Sequence, residues 1–183
     1  RWQDQMLFGQ VFSDWTEVQH PRYGTVLVGG PTKFSGRTPP PFMIEEEAHR
    51  NFAFTMFHAQ EMPVLRANDV VTKDLGDGLW QVDLEIANDK LIPTRTRQAA
   101  ERKIGRPDIL LFEPEQGTTL LSAGTTRNRI ERTMQAQKHR PERLIVERGI
   151  PSRGISTFRY ILRSDQPPRG TFTYSAEKAR DIT

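Results

Sequence analysis

The sequence predicts a mainly β fold with one helix: an antiparallel β-sandwich over residues 64–183, preceded by a strand–helix segment over residues 1–63. Three observations carry this prediction. Residues 79–86 alternate strictly, with Trp80, Val82, Leu84 and Ile86 on one side and Gln81, Asp83 and Glu85 on the other, the period-two mark of a half-buried antiparallel strand. Short runs rich in β-branched and aromatic residues recur through the C-terminal two thirds, separated by Gly, Pro and Asp turns. Only Glu45–Glu61 has a clear helical period.

Met6–Val18 is apolar and aromatic and reads as a strand or short helix ending near Asp14–Trp15, since periodicity does not separate the two. His20-Pro21-Arg22-Tyr23-Gly24 is a turn signal. Thr25–Val28 is a short β-branched strand closed by Gly29-Gly30-Pro31, and Pro39-Pro40-Pro41 is stiff and extended. In the helix, Glu45, Glu46 and Glu47 occupy the first turn, where the dipole favours negative charge, and Pro63 forbids continuation. Ala48, Phe52, Thr55, Met56 and Ala59 share one face while Phe54 and Phe57 lie opposite, a pattern that predicts burial on both sides. Asp77-Gly78 is a hairpin signal before the alternating strand. Val70–Lys73, Ile109–Phe112, Thr119–Ser122, Leu144–Glu147, Thr157–Leu162 and Thr171–Tyr174 are the other strand candidates. Pro93–Lys103 and Arg127–His139 are polar and Arg-rich, and take no assignment.

Composition narrows the function classes. The chain has 183 residues and no cysteine, which excludes disulfides, zinc ribbons, iron–sulfur sites and thiol catalysis. No apolar run reaches the ~18 residues of a membrane span. The net charge of +3 is uneven, with −2 over residues 1–63 and +5 over residues 64–183. The chain opens on Arg1 rather than Met, so a native start is expected upstream, and no signal peptide is visible. Two basic clusters stand out: Arg95, Arg97, Arg102, Lys103 and Arg106, and Arg127, Arg129, Arg132, Lys138, Arg140 and Arg143. Neither has interleaved aromatics for base stacking, so they read as solvated loops and nucleic acid is not an expected partner.

Catalytic signatures are sparse. His58-Ala59-Gln60-Glu61 is an H-x-x-E that puts an imidazole and a carboxylate on one helical face. It lies at a helix end next to Pro63 without an obvious third ligand, so His58 and Glu61 are rejected as a zinc site. His49 and His139 read as surface residues, and His20 as part of a turn network. There is no Gly-x-Ser-x-Gly elbow, and Gly29-Gly30 runs into Pro31 rather than a phosphate loop. The expected catalytic and metal sets are therefore empty.

The order of these segments resembles the C-terminal portion of bacterial zinc carboxypeptidases of the carboxypeptidase A superfamily. The run from Trp15 through His20, Pro21, Gly24, Val26, Val28, Gly29 and Gly30 is similar to that family's W…H-P-x-[LY]-G-x-V-E-[IV]-G-G segment, departing at Leu27, where the family has Glu. Ala48–Ala59, ending in Met62-Pro63, resembles the last helix of the peptidase domain. Residues 79–88 with Leu91-Ile92-Pro93-Thr94 resemble the V-x-V-x-N-x-G-x-L-P-T stretch of its appended β-domain, with Lys90 at the usual Gly, and Ser175–Ala179 resembles that domain's ending. The resemblance implies structural family positions at Trp15, His20, Pro21, Gly24, Gly29, Gly30, Pro93 and Thr94. It also implies that residues 1–63 are the incomplete end of an α/β peptidase domain. The zinc ligands, substrate arginines and catalytic glutamate would all lie upstream.

The reading that follows is a non-catalytic accessory region, neither an enzyme nor a cofactor binder in itself, with zinc expected in an upstream domain. That peptidase domain would be its partner in cis, the isolated chain would self-associate, and the location would be periplasmic or extracellular. An independent β-sandwich module binding protein or polysaccharide is the alternative. A self-contained metalloenzyme built on His58 and Glu61, and a nucleic-acid binder, are the remaining readings.

Overall fold

In the computed structural model, residues 5–33, 35–131 and 133–183 are described, and they group into two compact units, 1–57 and 58–183. In the first unit, β1 (Phe12–His20) and β2 (Gly24–Pro31) form an antiparallel hairpin, followed by a 3-10 turn, Pro41–Met43, that leads into α1 (Ile44–Gln60). The first strand runs through Trp15 to the His20 turn rather than stopping near Asp14–Trp15, because its pairing with β2 continues to His20 opposite Gly24. A bulge between Ser13 and Thr16 interrupts the ladder. Gly29 and Gly30 answer to that bulge. A Cβ on Gly29 would fall 2.7 Å from the Trp15 Cα, and Gly30 has φ +110 beneath the Trp15 ring. No residue of α1 is buried, and Phe52, Phe54 and Phe57 are exposed. The two-sided burial that its apolar pattern predicts is not supplied by the described residues.

The second unit is a pair of antiparallel sheets. Five strands lie in the order β3 (Leu65–Gly76), β4 (Leu79–Asn88), β9 (Ile155–Arg163), β6 (Thr119–Thr126), β7 (Gln135–Ala136). The other sheet orders β10 (Gly170–Ser175), β5 (Asp108–Pro114), β8 (Arg143–Val146). Inward-facing residues of both make one core: Val82, Leu84, Ile86, Phe158, Tyr160 and Leu162 from the large sheet, with Leu110, Phe112, Leu144, Val146 and Tyr174 from the small one. Aromatic rings clasp the layers together. Phe172 stacks on Phe112 at 4.6 Å and meets Tyr160 edge-on at 4.9 Å between ring centroids.

One expectation about β4 is corrected. Trp80 packs half-buried against the core, on the side its alternation predicts, its Nε1–H donating to the Ser164 carbonyl at 2.9 Å. Asp83 and Glu85, on the polar side of the alternation, are buried as well. That face is covered because Arg129 and Glu131 lie against it. Arg159, directly opposite Asp83 in register, donates from Nε at 2.7 Å and Nη2 at 3.0 Å to the carboxylate, and from Nη1 and Nη2 to the carbonyls of Glu131 and Arg129. Arg129 in turn pairs with Glu85 at 3.0 Å and with Asp69. Part of the second basic cluster is thus a structural clamp rather than a solvated loop. Arg132 of that cluster lies outside the described residues.

Candidate functional site

The residues that carried the resemblance fall in two places. Trp15, His20, Pro21, Gly24, Gly29 and Gly30 all lie on the β1–β2 hairpin. Pro21-Arg22-Tyr23 makes its loop, with Gly24 at φ +70 starting the return strand. The His20 Nδ1 accepts the Arg22 N–H at 3.1 Å and the imidazole lies 4.9 Å from the Tyr23 ring, so His20 organises the turn. Trp15 is exposed.

His58 and Glu61 sit at the end of α1 and just beyond it. Glu61 turns to the 88–94 loop: its Oε2 accepts the Leu91 N–H at 3.0 Å, Lys90 Nζ reaches Oε1 at 3.4 Å, and its carbonyl accepts the Ile92 N–H at 3.1 Å. The Leu91 N–H, followed by the Lys90 charge, holds this carboxyl below its ordinary range. The same loop is pinned from inside by buried Asn88, whose amide donates to the Ile92 and Pro151 carbonyls while its Oδ1 accepts the Lys90 N–H. Lys90 keeps a negative φ, so this turn does not require a glycine there. Among the described residues, no group of three or more His, Cys, Asp or Glu could hold a metal.

Pro93 and Thr94 lead from this loop into a buried polar cluster. The Ile150 N–H donates to Thr94 Oγ1 at 2.7 Å, the Thr94 hydroxyl bonds Asp108 Oδ2, and the Tyr174 hydroxyl donates to the same oxygen at 2.8 Å. Burial, reinforced by the Asp108 charge, pushes the Tyr174 hydroxyl far above its ordinary pKa, so Tyr174 stays a donor. Gly149 closes the cluster with φ +62, and a Cβ there would lie 2.9 Å from Asp108 Oδ2 and 3.0 Å from the Arg95 Cβ.

Arg95 is the neighbour of this cluster that the sequence alone did not single out from its fellow arginines. Only 6% of it is exposed. Its Nη2 donates to the carbonyls of Ala99 and Ile104, both at 3.1 Å, while Nε and Nη1 are buried without a partner among the described residues. No carboxylate stands within ion-pair reach of it among those residues. The signal that sets it apart is its place directly after Pro93-Thr94 and one residue before Thr96, which caps α2 (Arg97–Arg102) by accepting the Ala99 N–H at 3.2 Å. Beside it opens a cleft of about 580 Å³, lined by Pro93, Arg95, Arg97, Arg148, Pro151 and Ser152, with Ala100 and Glu101 on α2.

Fold and site together define a mainly β domain built of two antiparallel sheets, carrying a basic cleft beside a buried polar cluster. Residues 64–183 match the model of a family described as a domain of unknown function, DUF8731, and the chain belongs to that family. No curated protein and no solved structure matches the chain. No helix among the described residues is long and apolar enough to cross a membrane.

Proposed function

We propose that this chain is the non-catalytic C-terminal region of a zinc carboxypeptidase-like protein, in which residues 64–183 are an accessory β-sandwich and residues 1–63 complete an upstream peptidase domain. The observation that supports it most directly is the use of Glu61. The Glu61 carboxylate of the His58-Ala59-Gln60-Glu61 run binds the Leu91 N–H and Lys90, at the junction where the similar proteins pass from their closing helix to their β-domain. The exposed aromatic and aliphatic side chains of the hairpin and α1 give the upstream domain an apolar surface to cover. In the parent protein, a zinc-activated water with a glutamate base would cleave the C-terminal peptide bond, and no residue of this chain takes part in that step.

The test compares this chain with the longer gene product. The coding sequence upstream should hold an H-x-x-E, a later His and a late Glu. The longer product should bind stoichiometric zinc and release C-terminal amino acids, while the 183-residue chain does neither. Tight zinc on the short chain, lost in His58→Ala, would overturn the proposal, as would an upstream region without those ligands. The arginine-lined cleft favours a second reading, a β-sandwich binding module in its own right.

A further inference from the structure

We propose that the cleft beside Arg95 is a binding site for an oxyanion, the phosphate or carboxylate end of a small organic ligand. Arg95, Arg97, Arg148 and Ser152 line it. The inference goes beyond the accessory role and does not depend on what precedes residue 1.

Burial of a guanidinium is costly unless its charge is balanced and its donors are used. Arg95 is buried, two of its three nitrogens lack acceptors, and it is satisfied only by two neutral carbonyls. A carboxylate on the protein could have met this need, as Asp83 does for Arg159. Asp108, the buried acid of the cluster, bonds Thr94 and Tyr174 through Oδ2, keeps its Oδ1 buried without a partner, and forms no ion pair with Arg95. The cleft that Arg95 lines adds more positive charge. Arg97 and Arg148 face it against a single acid, Glu101, which is already paired with Arg97 at 2.7 Å. Arg148 is exposed and has no partner among the described residues. Arginine suits this task, because its planar donors match the oxygens of phosphate and carboxylate. The cleft is larger than an inorganic ion, and Pro93, Pro151 and Ala100 give it apolar wall. A ligand with an anionic end and a compact organic body is therefore the class that fits.

The test is NMR titration of the full 183-residue chain, following Arg Nε–H and backbone amide signals in a buffer free of phosphate and carboxylates. Inorganic phosphate, methyl phosphate, acetate and propionate are added separately at constant ionic strength, with sodium chloride as the reference. Saturable shifts at the Arg95 Nε–H and the Ser152 amide are expected. Arg148→Gln should weaken binding about tenfold, as loss of one charge-assisted contact does, and Arg163→Gln, on the exposed end of β9, should leave it unchanged. Saturation by the phosphates alone assigns a phosphate ester, and by the carboxylates alone an organic acid. Arg95→Gln removes a buried group and can unfold the loop, so Arg148→Gln and Ser152→Ala, at exposed positions, carry the test. Shifts that sodium chloride reproduces, or affinities that neither variant changes, would overturn the site.

Discussion

Asp83 and Arg159 face each other at the centre of the large sheet, each about 5% exposed at the side chain. The hydrogen bonds from the guanidinium to Asp83, with the charge of that carboxylate, raise the Arg159 pKa further, so the guanidinium stays charged. Leaving either charge alone in that site is costly, whereas replacing both with apolar groups of similar volume is not. Arg159→Met should therefore cost about 3–5 kcal/mol, and the double variant Asp83→Leu/Arg159→Met far less. Urea unfolding of the set together with Asp83→Leu alone decides it, and a double variant destabilised by the sum of the two single costs would show that the pair is not coupled. This residue-scale feature was half legible. Alternation in 79–86 announced which side of β4 is apolar, and Val82, Leu84 and Ile86 are buried. Alternation reports polarity, not cover, and nothing local to Asp83 tells that a segment more than forty residues away folds over it.

The clasp between Glu61 and the 88–94 loop shows how an element boundary is secured. Its carboxyl is held below the ordinary value of 4.5 by the Leu91 N–H and Lys90. The bond is thus fully present above that value and is lost as pH falls through the depressed one. The Leu91 amide proton should shift with a midpoint below 4.5 in a pH titration, and Glu61→Gln should remove the step. A midpoint at or above the ordinary value would mean that the clasp is open in solution. Among elements, every core strand left a mark in the sequence, because each alternates or carries β-branched and aromatic residues. β3 runs from Leu65 to Gly76, well past the predicted Val70–Lys73, since most of its side chains are exposed and polar positions on an edge strand resemble a loop. α2 and β7 escaped because six and two residues are too short for any period to emerge.

For the whole molecule, the apolar side chains left outside are concentrated in the first unit, with Phe12, Trp15, Leu27, Phe52 and Phe57 all exposed. Exposed apolar surface on this scale marks a contact awaiting its other half. The 183-residue chain should show a mass that rises with concentration in light scattering, and Phe52→Ser with Phe57→Ser should lower that dependence. A monodisperse monomer whose amides over 12–57 resist hydrogen exchange would contradict this. The break at Pro63 predicts a boundary there, while the compact units divide between Phe57 and His58, inside the helix. A proline marks where a helix must stop, but compactness depends on which turns find neighbours, and that is a tertiary property.

The position of β9 has a consequence for how the protein comes into being. It lies between β4 and β6, and its partners Val82 and Leu84 precede it by more than seventy residues. A chain leaving the ribosome has β3, β4 and β6 in hand early, yet their inner neighbour is still unsynthesised, and the aromatic clasp awaits Phe172 and Tyr174 beyond it. Closure over such spans makes for slow assembly, dominated by non-local pairing. Until β9 is free the half-built sheet exposes the edges meant for it, and until β10 follows it exposes its inner face, so the nascent domain depends on these two strands to be protected from aggregation.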